Sequence, residues 1–151
     1  MNFADSFVVN APIETVWDFL LDINRMGRCM PGVEAIEKID EVTYHGKLKV
    51  KVGIVAAAFG GTVRLTELDP PRRLVAAIEA DDRASASQVK ASFTSSLTPT
   101  EAGTQIDYDM EVNLRGRLAQ FGLTVVRGTA KKMTADFVKC LQQSLTSEAA
   151  A

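Results

Sequence analysis

Residues 42–65 read VTYHGKLKVKVGIVAAAFGGTVRL, and through most of this stretch apolar or small residues recur at every second position. Val42, Tyr44, Gly46, Leu48, Val50 and Val52 fall on one side of an extended chain, and Thr43, His45, Lys47, Lys49 and Lys51 fall on the other. Successive side chains of a strand point to opposite faces, so the alternation describes a strand with one buried and one wet face. Val55, Ala57, Phe59, Gly61, Val63 and Leu65 form a second such set, in which small and large residues alternate. The pattern returns as Val89, Ala91, Phe93, Ser95 and Leu97, and again as Ile106, Tyr108, Met110, Val112 and Leu114 against Asp107, Asp109, Glu111 and Asn113. Turn-forming clusters separate the runs: IDE near Asp40, ELDPPRR over 67–73, ADDR near Asp81 and TPTEAGT over 98–104. Together they predict an antiparallel meander of about six strands.

Upstream, Phe3 to Val9 reads as a short strand, and NAPIETVWDFLLDI over 10–23 has helical spacing. Pro12 suits the first helical position and Glu14 the first turn, where the helix dipole favours negative charge. Ile13, Val16, Trp17, Leu20 and Leu21 make one apolar face. The breakers in NRMGRCMPG leave room for one further short helix at most. Downstream, Leu118, Phe121, Val125, Val126, Ala130, Met133, Phe137, Leu141 and Leu145 are spaced by three or four over much of their length. One helix from about Arg117 to Thr146 would be about 45 Å long, enough to cross the sheet. Gly122 and Gly128 weaken its first half and predict a bend or a close backbone approach there.

The order is therefore strand, helix pair, antiparallel strands and a long helix, an α+β arrangement whose apolar sheet face turns toward the last helix. Residues 1–147 form one domain and 148–151 are expected to be a disordered tail. The 151-residue length fits one domain, and the formal charge of −2 argues against a general nucleic-acid binder. Cys29 and Cys140 lie far apart without CxxC spacing, which favours a reduced intracellular pair over a disulfide. The N-terminus MNFADSFVVN lacks the form of a signal peptide, and no run approaches the ~20 apolar residues of a membrane span. The expected location is cytoplasmic, or peripheral at the inner membrane face.

A curved sheet carrying glycine and alanine on its inner face leaves volume that bulky helix side chains or a ligand must fill. The competing explanation is close helix packing or a bulge.

APIETVWDFLLD at 11–22, CMPGVE at 29–34, KVKVGIVAAAFGGTVRLTELDPP at 49–71, RLAQFG at 117–122 and GTAKKMTADF at 128–137 resemble the CoxG family, named for the G subunit of carbon monoxide dehydrogenase. That family lies within the START-like helix-grip superfamily (SRPBCC), which includes pollen allergens and polyketide cyclases. The resemblance spans nearly the whole chain. It implies a helix-grip fold, with a curved antiparallel sheet of about seven strands wrapped around a long C-terminal helix and two short helices after the first strand. It also implies a hydrophobic cavity between sheet and helix, and an association with molybdenum hydroxylases of the carbon monoxide dehydrogenase type. Proteins of this kind have been proposed to tether that enzyme to the membrane or to carry a quinone to it.

On this reading the cavity is lined by Trp17 and Met30 from the helix pair and its exit. Leu48, Val50, Ala57, Phe59, Phe93, Tyr108 and Met110 line it from the strands, and Phe121, Met133 and Phe137 from the last helix. Tyr108 is a candidate donor to a ligand oxygen, as a few polar groups orient ligands in apolar pockets. No HExxH, GxSxG, P-loop, GxGxxG or CxxC pattern is present, and the only histidine, His45, alternates outward with lysines. No metal or cofactor is therefore called for. Asp107, Asp109 and Glu111 share the wet face and read as solubilising charge. Arg115, Arg117, Arg127, Lys131, Lys132 and Lys139 form a basic region, either a solvated face or a contact for anionic lipid or an acidic partner.

RCMPG at 28–32 reads as the hinge converting helix into strand, with Met30 held extended by Pro31 and placed near the cavity mouth. The preferred function is non-enzymatic carriage of a lipophilic molecule, a quinone or lipid. The alternatives are a cyclase or hydratase acting on an aromatic or polyketide ligand, and a docking protein whose cavity is incidental.

Overall fold

The computed structural model describes residues 1–150, with side chains through Leu145; the expected tail over 148–151 lies outside the residues described in full. Seven strands, β1 (Asn2–Val9), β2 (Val33–Lys38), β3 (Thr43–Val52), β4 (Val55–Asp69), β5 (Arg73–Asp82), β6 (Ser87–Thr100) and β7 (Gly103–Arg115), form one curved antiparallel sheet. Their order is β1-β7-β6-β5-β4-β3-β2. From β2 to β7 each strand pairs with its sequence neighbour, which is the meander the turn signals describe, and β1 closes the far edge against β7.

Two short helices follow β1. Helix α1 (Ile13–Leu21) begins one residue later than the sequence suggests, because Pro12 takes an extended ψ of 152° and serves as the N-cap. Its buried side is wider than the five-residue face predicted, since Phe19 is also fully buried and carries the Arg25 guanidinium 4.5 Å above its ring. In helix α2 (Ile23–Cys29), Asp22 caps the start by accepting from the backbone N–H groups of Asn24 and Arg25. The Pro31–Gly32 turn then leads into β2, as the hinge reading requires.

The C-terminal helical region departs from one continuous helix. Arg117–Phe121 is a 3-10 segment, and helix α3 (Gly122–Ala150) starts after it. Gly122 has φ +84°, a left-handed conformation that glycine adopts without steric cost, so the chain breaks there. Gly128 makes no close approach: it lies inside α3, and nothing stands within 4 Å of where its Cβ would be.

The cysteines correct the expectation of a reduced pair. Cys29 at the end of α2 and Cys140 on α3 form a disulfide, with Cα atoms 5.4 Å apart. Their separation of 111 residues conceals a proximity that only the crossing of α2 and α3 creates.

The apolar interior is in two parts. One cluster joins Val9, α1, Leu74, Ala76, Leu97 and Ile106 to Leu141 and Leu145 near the end of α3. The other surrounds the β3–β4 hairpin, where Val52, Val55, Ala57 and Phe59 meet Leu118, with Phe121 and Val126 packed against them.

Candidate functional site

The inner face of the sheet can be read across its registers. One row runs Phe3–Met110–Phe93–Ala76–Leu65. The next runs Val112–Ala91–Ile78–Val63–Tyr44, and a third Leu114–Val89–Ala80–Gly61–Gly46–Ile36. The middle rows hold the small residues noted in the sequence. At Gly61 the explanation is close packing: an added Cβ would run into the Glu79 carbonyl oxygen and the Ala80 side chain, so the curved sheet itself requires glycine. Ala91 lies half-buried in the same region.

Predicted cavity residues divide into three sets. Trp17 is buried in the first cluster, where Phe93 and Phe137 also pack. Ala57 and Phe59 are buried in the second, with Val50 and Phe121 against it. Leu48, Tyr108, Met110 and Met133 are half-buried and belong to neither cluster. By register, Tyr108 and Met110 share rows with Leu74 and with Phe93 and Ala76 of the first cluster, Leu48 faces Phe59 of the second, and the half-buried row Val112–Ala91–Ile78 is the interval between them. Met30 caps α2 and is 36% exposed.

A side-chain hydrogen bond joins β7 to α3. The Tyr108 hydroxyl lies 3.4 Å from Thr134 Oγ1 on α3, and Thr134 donates onward to the Ala130 carbonyl at 2.9 Å. Tyr108 also stacks on Phe93, with ring centroids 6.0 Å apart. Its hydroxyl is thus engaged with the helix, and Thr134 is a residue the sequence reading missed. Threonine spacing on a helix carries no sign of a partner on a strand. Phe3, Ile78 and Ala91 were also outside the predicted set; their alternation with β1, β5 and β6 neighbours was the available signal.

On the outer face, His45 is exposed and Gln105 Nε2 donates to the Asp107 carboxylate at 3.1 and 3.2 Å. An open depression of about 420 Å³ runs along β1, β6 and β7, another of about 700 Å³ along β5–β7 is lined by residues of both alternations, Ile78, Ala91 and Val112 among them, and no α3 residue lines either. Among the described residues, no three His, Cys, Asp or Glu side chains are gathered as a metal site.

A second polar cluster supports the other end of the molecule. Asp82 accepts from the Ser85 hydroxyl at 2.7 Å and from the backbone N–H groups of Ala84 and Ser85. The Ser85 hydroxyl, followed by the backbone donors, holds the Asp82 carboxyl below its usual pKa. Ser87 Oγ donates to the Ser85 carbonyl and accepts from Leu118 N–H, which ties the β5–β6 turn to the 3-10 segment ahead of α3.

Residues 6–146 match the family model for CoxG, the G subunit of carbon monoxide dehydrogenase. The chain belongs to that family. Solved structures of the same fold include a conserved protein from Geobacillus kaustophilus, 24% identical, with a TM-score of 0.90 over 97% of this chain and 96% of that one. A START superfamily protein from Mycobacterium smegmatis aligns at 12% identity and TM-score 0.74, covering 97% of both chains. Ara h 8.0201 aligns at 13% identity and TM-score 0.68, covering 97% of this chain and 98% of that one. At these identities they establish the fold alone, which is the START-like helix-grip arrangement expected for the family. No curated protein matches the sequence. No described helix of this family member is long and apolar enough to cross a membrane.

Proposed function

We propose that this chain is a non-enzymatic carrier that holds a lipophilic small molecule, a quinone or lipid, between the sheet and α3. The family's name further suggests delivery to a molybdenum hydroxylase of the carbon monoxide dehydrogenase type, with peripheral contact at a membrane. The observation carrying the reading is the divided interior. Ile78, Ala91 and Val112 form a half-buried row between rows of the two packed clusters, and Met133 on α3 likewise joins neither. Interiors are ordinarily close-packed, so flexible apolar side chains in such an interval suit an adaptable ligand wall. An enzyme of the cyclase or hydratase type needs convergent polar groups, and the Tyr108–Thr134 pair passes its hydrogen bond to a backbone carbonyl instead.

The test uses a fluorescent apolar probe and the variant Ala91→Leu. Extra bulk in a filled interior costs about 1–3 kcal/mol, whereas over an unfilled interval it leaves stability unchanged or raises it. Carriage predicts a stable Ala91→Leu protein that binds the probe at least about tenfold more weakly than the natural chain. A wild-type protein that binds no probe, together with gentle isolation that yields no extractable hydrophobic compound, would overturn the reading.

A further inference from the structure

The β3–β4 hairpin ends in the two-residue turn Gly53–Ile54, and Ile54 is 87% exposed, the most exposed of the large hydrophobic residues described. Its position is fixed from below. Gly53 has φ +61°, and a Cβ there would stand 2.7 Å from the Phe121 ring, so the turn rests directly on the residue that precedes α3. Leu123 and Val125, just beyond, are 48% and 38% exposed. Ala56 and Ala58 are exposed on β4 beside Lys51 and Lys49, their register partners. The tip therefore presents isoleucine, leucine and small apolar residues.

Charge around this tip has one prevailing sign. Lys51 stands next to the turn, opposite Ala56, with Lys49 and Lys47 following along β3, and residues 42–66 hold no acidic residue. Residues 112–135 contain Arg115, Arg117, Arg127, Lys131 and Lys132 and no acidic residue, in a chain of formal charge −2. Glu34 neutralises Lys49 at 3.0 Å. On the neighbouring β5–β6 turn, Asp81 and Asp82 stand beside Arg83, with Asp82 buried in its hydrogen bonds.

From this arrangement we propose that the β3–β4 tip and the start of α3 form a docking surface for an anionic phospholipid bilayer, with Ile54 and Leu123 inserted among the acyl chains. A narrow apolar projection with basic segments flanking it in the chain matches the chemistry of an anionic lipid interface, where burial and electrostatic attraction act together. It is unlike the core of a stable protein interface, which requires a broad packed patch of about 800 Å² per partner. The proposal deepens the carrier reading by naming its membrane-facing end; it rests on that reading for its purpose, not for the docking itself.

Vesicle sedimentation of the whole protein tests it. Binding is expected to vesicles of phosphatidylglycerol and phosphatidylethanolamine, to weaken as salt rises, and to be poor with phosphatidylcholine alone. Ile54→Asp and Leu123→Asp should each reduce partition at least about tenfold. Ile39→Asp, at a 48% exposed site on the β2–β3 connection at the opposite end of β3, should leave it unchanged. Circular dichroism melts establish that the variants fold. Absence of binding to anionic vesicles, or binding insensitive to both tip variants, overturns the proposal. So does a concentration-dependent dimer that Ile54→Asp dissolves, which would assign the tip to a second copy. Probe binding without vesicles separates the two readings: Ile54→Asp should keep it, and vesicle binding by a protein that takes up no probe would remove carriage while leaving docking in place.

Discussion

Two glycines six residues apart make opposite predictions because their backbones differ. Gly128 lies in the body of α3, exposed, with open space where a Cβ would stand. Gly128→Ala should raise unfolding free energy by about 0.5–1 kcal/mol in a denaturant titration, since alanine favours the helix and restricts the unfolded chain. Gly122 has the same open space but φ +84°. Gly122→Ala should be destabilising by about 1 kcal/mol or more, because alanine resists the left-handed region. Equal effects at the two sites would contradict the break before α3. Asp82 supplies a pH signature at the same scale. Its folded pKa is lowered, chiefly by the Ser85 hydroxyl, so the stabilisation is present above the unfolded value of about 3.9 and is lost as pH falls through the lower folded value. Ser85→Ala should therefore flatten the decline in melting temperature below about pH 4, and an unchanged acid profile would show that the hydroxyl is not the cause.

Elements were legible where local periodicity and burial coincide. The alternation in β3 and β4 is visible in the sequence because one face of each is wet, and the Pro-rich and Gly-containing turns punctuate it. The inner face was equally readable, but which of its residues pack in a cluster and which lie between clusters depends on where α3 crosses, and no period encodes that. The break at Gly122 and the Tyr108–Thr134 contact have the same origin, as does the bond between α2 and α3. Cys29 and Cys140 enclose most of the chain, so their bond restricts the unfolded ensemble strongly. Adding reductant should lower unfolding free energy by about 2–4 kcal/mol, and the double variant Cys29→Ser, Cys140→Ser should match the reduced protein. Intact mass should rise by two hydrogens on reduction. Identical denaturation midpoints with and without reductant would mean that the folded protein does not carry the link.

At the scale of the molecule, α3 is supported unevenly along its length. Val126, with Phe121 just ahead of the helix, packs into the hairpin cluster at one end. Phe137, Leu141 and Leu145 pack into the other cluster, where the disulfide at Cys140 also holds the helix to α2. Between them the side-chain hydrogen bond to the sheet is the long one from Tyr108 to Thr134, and Met133 joins neither cluster. Local opening is governed by how much apolar contact a segment must give up, so the middle of α3 is the part that opens with least cost. That is where a lipophilic molecule would enter if sheet and helix hold it. Hydrogen exchange should accordingly show amides of residues 127–136 exchanging faster than those of the paired cores of β6 and β7 in the ligand-free protein. Adding a saturating apolar probe should slow residues 127–136 selectively, because the probe replaces the missing contacts on the underside of the helix. Uniform protection along α3, unchanged by a probe that binds, would place the ligand somewhere other than between the helix and the sheet.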